Sequence, residues 1–307
     1  NEAGQWVEGP HLAWDRVPPQ VGAVIGARLA DLPEDLQVLL TVASVEGERF
    51  TAEVVADVLQ RPVDTVQRAL SRTLQRSYAW VEALGLARAG DRRVARYGFR
   101  HSLFQQHLYA QLDAVERARH HEAVALALAR LHGDDPDHAA RLAYHFEAAG
   151  LLDDAIDYLG KAGDHAYQLA APGEAVQLYR HGLALVAELP ASPARARREL
   201  ALLMGLELPL FGTAGWGAPE RAKAMDRAYQ LAQELGETDH LLPILRALAD
   251  IATARSNHHQ ALGYAQRALD LARARADRTY EALGHRLTGT AHLSPGHHTD
   301  ARAHLDA

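Results

Sequence analysis

The sequence predicts an all-α fold carrying one small β-hairpin wing, and three observations lead there. Apolar residues recur at helical spacing through most of the 307 residues, interrupted by Gly and Pro. A single strand–turn–strand pattern lies between Tyr78 and Phe99. In the second half, small residues return in phase where antiparallel helices would cross. A composition of 48% hydrophobic and 23% charged residues is that of a folded chain rather than a disordered one.

From the N-terminus, Gln5-Trp6-Val7 reads as a short strand, Pro18-Pro19 opens a new segment and Val21 to Leu29 reads as a helix. Pro33 suits the first turn of the next helix, where Leu36, Leu39, Leu40 and Ala43 share a face until Gly47 ends it. Thr51 is placed to cap a helix burying Val55, Val58 and Leu59. Pro62 and Asp64 open a third helix, with Val66, Ala69, Leu70 and Leu74 inward. Strands are expected at Tyr78–Leu86 and Val94–Phe99, around the turn Arg88-Ala89-Gly90-Asp91-Arg92. Three helices followed by a hairpin is the order of a winged helix. Helices follow at Ser102–Leu112 and Ala114–Leu131. Roughly eight more run from His138 to the end, broken at Gly150, Pro172-Gly173, Pro190–Pro193, Gly212–Pro219, Gly236, Asn257 and Pro295-Gly296.

Tetratricopeptide-like spacing appears three times in these later helices. Ala143 and Phe146 precede Ala155, Leu159 and Ala162; Ala249 and Ala252 precede Ala261, Ala265 and Ala268; Gly289 and His292 precede Ala301 and Leu305. Only Gly or Ala lets two helix backbones approach closely, so Ala143, Ala155, Ala162, Ala249, Ala261, Ala268, Gly289 and Ala301 are the expected crossing positions. Ala228 to Ala268 and Ala261 to Ala301 share a period of 40.

The segment from Leu32-Pro33 through Ala43-Ser44-Val45-Glu46-Gly47-Glu48-Arg49-Phe50 resembles the start of the winged helix in bacterial STAND regulators, large signal-transduction NTPases. Related forms are fused to class III adenylate cyclase domains or to LuxR-type DNA-binding domains. Phe99-Arg100-His101-Ser102-Leu103-Phe104 with Leu108-Tyr109 resembles the join to their superhelical arm. Gly215-Trp216-Gly217-Ala218-Pro219-Glu220, then Arg227-Ala228-Tyr229 and Leu235-Gly236, resembles a recurrent linker in that arm. The resemblance implies four segments: residues 1–32 as the trailing end of a nucleotide-binding region, 33–100 as a winged helix, 101–137 as a connecting helical pair and 138–307 as TPR-like repeats. It also implies a protein, a peptide or a small effector in the superhelical groove, and the family's NTPase core as an intramolecular partner. The sequence departs from the family in lacking Gly-x4-Gly-Lys-Ser/Thr, since Gly160-Lys161 runs into Ala162. No phosphate cradle, no cofactor and no catalytic residue is therefore assigned.

Other features narrow the function classes. The absence of cysteine excludes disulfides, a thiolate nucleophile and a Cys-based zinc site, and fits a reducing cytoplasm. No apolar run reaches the roughly 18–20 residues of a membrane span, so no membrane partner is expected. Lysine occurs only at Lys161 and Lys223, a bias that reads as the codon usage of a GC-rich bacterial genome. The start at Asn1 without Met, and an end inside a helix, read as a fragment of something larger. The net charge of -7 argues against a general nucleic-acid coat.

One local basic pattern stands out. Arg68, Arg72 and Arg76 recur on the third helix, and Arg92 and Arg93 lie at the wing with Arg88 and Arg96. Such a set meets either DNA phosphates or an acidic protein face. Asp64, Glu82 and Asp91 dilute it, which favours the protein face. Trp216 reads as a plug between repeats or a binding contact. The adjacent pairs His120-His121, His258-His259 and His297-His298 point about 100° apart on a helix and are expected to be solvated or capping. His292 with His297 or His298, across a loop, comes nearest to a ligand set, but no metal ligand is assigned.

Overall fold

The computed structural model describes residues 19–293 and 296–306; the strand expected at Gln5-Trp6-Val7 lies outside them. The chain divides into two compact units, Asn1–Asp135 with Tyr144–Leu151, and Pro136–Ala143 with Leu152–Ala307. Among the described residues no helix is long and apolar enough to cross a membrane.

The first unit runs α1 (Pro19–Ala30), α2 (Glu34–Glu46), β1 (Arg49–Thr51), α3 (Ala52–Val58), α4 (Val63–Arg68), β2 (Val81–Ala89), β3 (Arg92–Phe99), α5 (Ser102–Gln111) and α6 (Ala114–His132). The strands form an antiparallel sheet of order β1-β3-β2, in which β2 and β3 are the expected hairpin. Strand β1 is an addition to the sequence reading, because three residues are too few to show alternation. Thr51 ends β1 and stands at the N-cap of α3, but its side chain makes no capping bond. Phe50 pairs with Tyr97 and packs on Phe99, with ring centroids 5.3 Å apart. The third helix changes winding after Arg68 and continues as a π-helix over Ala69–Ser77. The N–H of Tyr78 therefore reaches the Thr73 carbonyl at 3.1 Å, and that of Trp80 reaches Leu74 at 2.8 Å. This wider last turn is why β2 begins at Val81 rather than Tyr78. Leu39, Leu40, Val55, Leu70, Leu74, Trp80 and Phe104 form one core, which also takes Ile25 and Leu29 from α1. The Glu53 carboxylate accepts the Ala95 N–H at 2.9 Å and a Gln67 amide bond at 3.2 Å, tying α3 to β3 and α4.

After α7 (Ala139–Ala148), the second unit contains α8 (Leu152–Gln168), α9 (Pro172–Glu188), α10 (Pro193–Ala214), α11 (Pro219–Leu235), α12 (Leu241–Ala254), α13 (His258–Ala274), α14 (Arg278–Leu293) and α15 (His298–Leu305). Each packs on its successor, and α8 also meets α10 as α12 meets α14, so these are stacked antiparallel, TPR-like hairpins. Ion pairs recur at the repeat distance: Arg180–Glu220 and Arg197–Glu237 are 40 residues apart, Arg198–Asp157 41. Two breaks differ from the sequence reading. Gly212 stays inside α10, as does Pro209, and the chain turns at Gly215, whose φ of 90° requires glycine. The turn between α13 and α14 uses Ala276 at φ 55°, and Ala170 and Ser256 serve alike at φ 59° and 57°.

Tyr179 of α9 packs closely against both of its neighbouring helices. Its ring lies between Gly163 of α8 and Gly205 of α10, where an added Cβ would stand 2.7 Å and 2.5 Å from the ring. Its hydroxyl donates to Asp164 at 2.5 Å. With glycine on both sides the ring has nowhere to retreat. Gly163→Ala should therefore destabilise the second unit by about 1–3 kcal/mol. Gly263→Ala, at an exposed helical site with no atom within 4 Å of the new Cβ, should stabilise it by about 0.5–1 kcal/mol. Urea unfolding of the two variants checks the opposite signs.

Candidate functional site

In the first unit, Arg68, Arg72 and Arg76 are all exposed along α4 and its π-helical continuation. Arg68 bonds back to its own helix, to the Asp64 carbonyl at 3.1 Å. The guanidinium groups of Arg72 and Arg76 make no ion pair among the described residues. Arg92 and Arg93, exposed at the start of β3, line a cavity of ≈ 560 Å³ with Asp57, Arg61 and Arg130. Arg130 already holds Asp57 at 2.6 Å there. The wing also carries apolar surface: Leu84 and Leu86 of the edge strand β2 are 43% and 63% exposed. A β-bulge at Ala83/Gly85 re-aims this stretch.

One group expected to be solvated or capping is instead deep in the first unit. His121 of α6 is 1% exposed. Its Nε2 lies 2.9 Å from the Tyr109 hydroxyl and its Nδ1 2.9 Å from Nδ1 of His145 in α7. Two Nδ1 atoms at that distance share one proton, so both rings cannot be protonated there. Burial, helped by His120 and Arg117, pushes the His121 pKa down to about 4. Helical periodicity could not single it out, because His120 beside it offers the same residue about 100° around the helix.

In the second unit the residues expected at the crossings lie inside. Ala143, Ala155, Ala162, Ala249, Ala261, Ala268 and Ala301 are buried. Ala249 meets Ala265 and Leu287, Ala261 meets Ala252 and Ala291, and Ala268 meets Leu242 and Leu245. A Cβ on Gly289 would stand 2.8 Å from Leu305. Beside these crossings, α8, α9 and α10 enclose a groove of ≈ 520 Å³ lined by Asp157, Lys161, Asp164, Tyr179, Arg197 and Arg198. Ile156, Ala201 and Leu202 also line it, and its charges are paired, Arg198 with Asp157 at 3.0 Å and Arg197 with Glu237 at 2.8 Å.

The Gly-rich loop after α10 is built around a buried arginine that the sequence did not reveal. Arg221 of α11 is 2% exposed and bonds to the Glu207 carboxylate of α10, itself 4% exposed. It also donates to the Trp216 carbonyl at 2.8 Å and lies over the Phe211 ring at 5.5 Å. Arg255 fixes the same loop through the Gly217 carbonyl at 2.9 Å. Trp216 is held edge-on against Phe211 at 4.7 Å and stays 57% exposed, so it does not plug a gap between repeats. The charge network extends through Arg246 to Asp250 at 3.2 Å and on to Arg286 at 3.9 Å. Burial raises the Asp250 pKa against the opposing pull of Arg246, Arg286 and Arg221.

No protein-family model matches this sequence. An uncharacterised protein of Rhizobium meliloti strain 1021 is 29% identical over 152 residues, which are 48% of this chain and 15% of that protein. A solved structure from Pyrococcus horikoshii, a Signal Transduction ATPase with Numerous Domains protein with a tetratricopeptide repeat sensor, aligns with 94% of this chain and 52% of its own. The identity is 12% and the TM-score 0.44. The chain thus spans a small part of the curated relative and about half of the solved one.

Two outcomes follow from the buried charges. Arg221→Ala leaves the buried Glu207 only the longer contact to Arg246 at 3.6 Å and should cost the second unit about 3 kcal/mol, most of it recovered by Arg221→Met with Glu207→Leu; denaturant midpoints of the three proteins measure this. His121 should make the first unit acid-sensitive. Between about pH 6.5 and 4 the unfolded chain binds the proton and the folded unit does not, so stability is full above 6.5 and falls as pH drops toward 4. The loss should approach roughly 3 kcal/mol and be absent in His121→Phe, as read by urea unfolding at pH 7 and 4.5.

Proposed function

We propose that this chain is the regulatory protein-interaction and effector-sensing arm of a larger cytoplasmic signalling NTPase. In this reading the TPR-like hairpins bind a protein, a peptide or a small effector. Residues 33–100 pass that occupancy to an NTPase core lying elsewhere in the full protein, and residues 1–32 are the trailing end of the nucleotide-binding region. The observation that carries the reading is the hairpin array with its charged groove beside Tyr179, together with the clamped loop that presents Trp216 to solvent. Such an arm acts through a coupling free energy between two binding events, and no chemistry is assigned to this chain.

The second reading is a transcription regulator that uses Arg68, Arg72 and Arg76 on DNA. The exposed leucines of β2 favour the first. Leu84 and Leu86 sit on the edge strand of the wing, where a DNA-reading surface would carry polar or cationic groups, whereas an apolar edge bordered by arginines suits a protein face.

Electrophoretic shift with a mixed-sequence duplex at about 150 mM salt, a Debye length of roughly 8 Å, separates the two. Weak or absent binding is expected, and titration calorimetry with Mg-ATP should give no micromolar binding. Submicromolar duplex binding that is lost in the triple Arg→Ala variant, with the salt slope falling by about one unit per arginine, would establish the DNA reading instead.

A further inference from the structure

We propose that His292, His297 and Asp300 form a site for one zinc-type divalent transition-metal ion at the turn between α14 and α15. His292 lies in the last turn of α14, His297 is the N-cap of α15 and Asp300 sits in the first turn of α15. Their ligand atoms all lie within 4.8 Å of one another. A tetrahedral ion bound at about 2.0–2.2 Å needs its ligand atoms roughly 3.5 Å apart, so small side-chain rotations close the set. Gly296, at φ 85°, reverses the chain between the two helices. The close packing of Gly289 against Leu305 and the Ala301 carbonyl sets the spacing of the helices that carry the ligands.

The surroundings also favour a metal. The His292 ring stacks on His304 with centroids 6.0 Å apart and planes 15° from parallel, and it lies 5.9 Å from His297. His304 in turn places its Nδ1 3.0 Å from Nδ1 of His285. A neutral imidazole offers a lone pair to a metal. Two imidazoles and one carboxylate suit zinc and its neighbours; magnesium and calcium prefer oxygen alone. The three protein ligands leave one position for water or for a donor from a bound partner, as open zinc sites do. His298 falls outside the set, so the adjacent pair supplies one ligand. Bound there, the ion joins α14 to α15 and staples the last hairpin.

Titration calorimetry of the chelator-treated 307-residue chain with Zn2+ at neutral pH tests this. One ion per chain is expected, with an affinity that falls as pH is lowered. Co2+ should give the visible spectrum of a four- or five-coordinate ion. Asp300→Asn and His297→Asn, both at exposed positions, should each weaken Zn2+ about tenfold or more with the metal-free thermal midpoint unchanged. His259→Gln, at the exposed member of another histidine pair, should bind as the parent does. No saturable one-to-one binding below about 100 µM would overturn the site. So would binding that survives Asp300→Asn and His297→Asn, or that His259→Gln weakens equally.

Discussion

A helical array holds together only where two backbones come close enough for side chains on each to fill the gaps of the other. Here Tyr179 makes such a contact. The ring occupies the space that side chains at 163 and 205 would take, so α8, α9 and α10 share one contact. The neighbouring positions follow from it: Ala155 and Ala175 are fully buried, and Leu202 lies 3.0 Å from where a Cβ on Gly182 would stand. Once the helices are seated this way, residues one repeat apart face each other. The ion pairs at separations of 40–41 residues are the surface expression of that register. Exposed pairs of this kind contribute little each; the crossings set the spacing and the pairs decorate it.

Polar groups are buried where the array needs a fixed loop rather than a tight crossing. Glu207 and Arg221 leave water together, and their attraction has to offset two desolvation costs. A hydrophobic pair would hold the helices as well or better. What the ion pair adds is direction. The guanidinium meets the Glu207 carboxylate, the Trp216 carbonyl and the Phe211 face at once, so the Gly-rich loop has one position and Trp216 stays in solvent. The same network reaches Asp250 and Arg286, linking α10, α11, α12 and α14 by charge as well as by packing.

The first unit combines a small sheet with buried polar chemistry of a different kind. Glu53 satisfies a backbone N–H of β3, and the Tyr109–His121–His145 chain joins α5, α6 and α7 through rings that must share protons. A carboxylate accepting backbone bonds is at ease at neutral pH, whereas a buried imidazole is at ease only while uncharged.

The sequence by itself determined the helical class, the hairpin between Tyr78 and Phe99, most helix boundaries and the small residues that lie inside. All of these are local: apolar spacing, Gly and Pro punctuation, and a period of 40 are written along the chain. It did not disclose β1, whose three residues become a strand only by pairing with β3. Nor did it disclose the turn at Ala276, where an alanine accepts a left-handed backbone because the flanking helices demand it. The chemistry was less legible still. Arg68, Arg72 and Arg76 could be read from spacing because they lie on one exposed face. Arg221 looks like any surface arginine until Glu207, Trp216 and Phe211 surround it, and His121 looks like its neighbour His120 until α5 and α7 close over it. Burial and partnership belong to residues far apart in sequence, and only the tertiary structure brings those together.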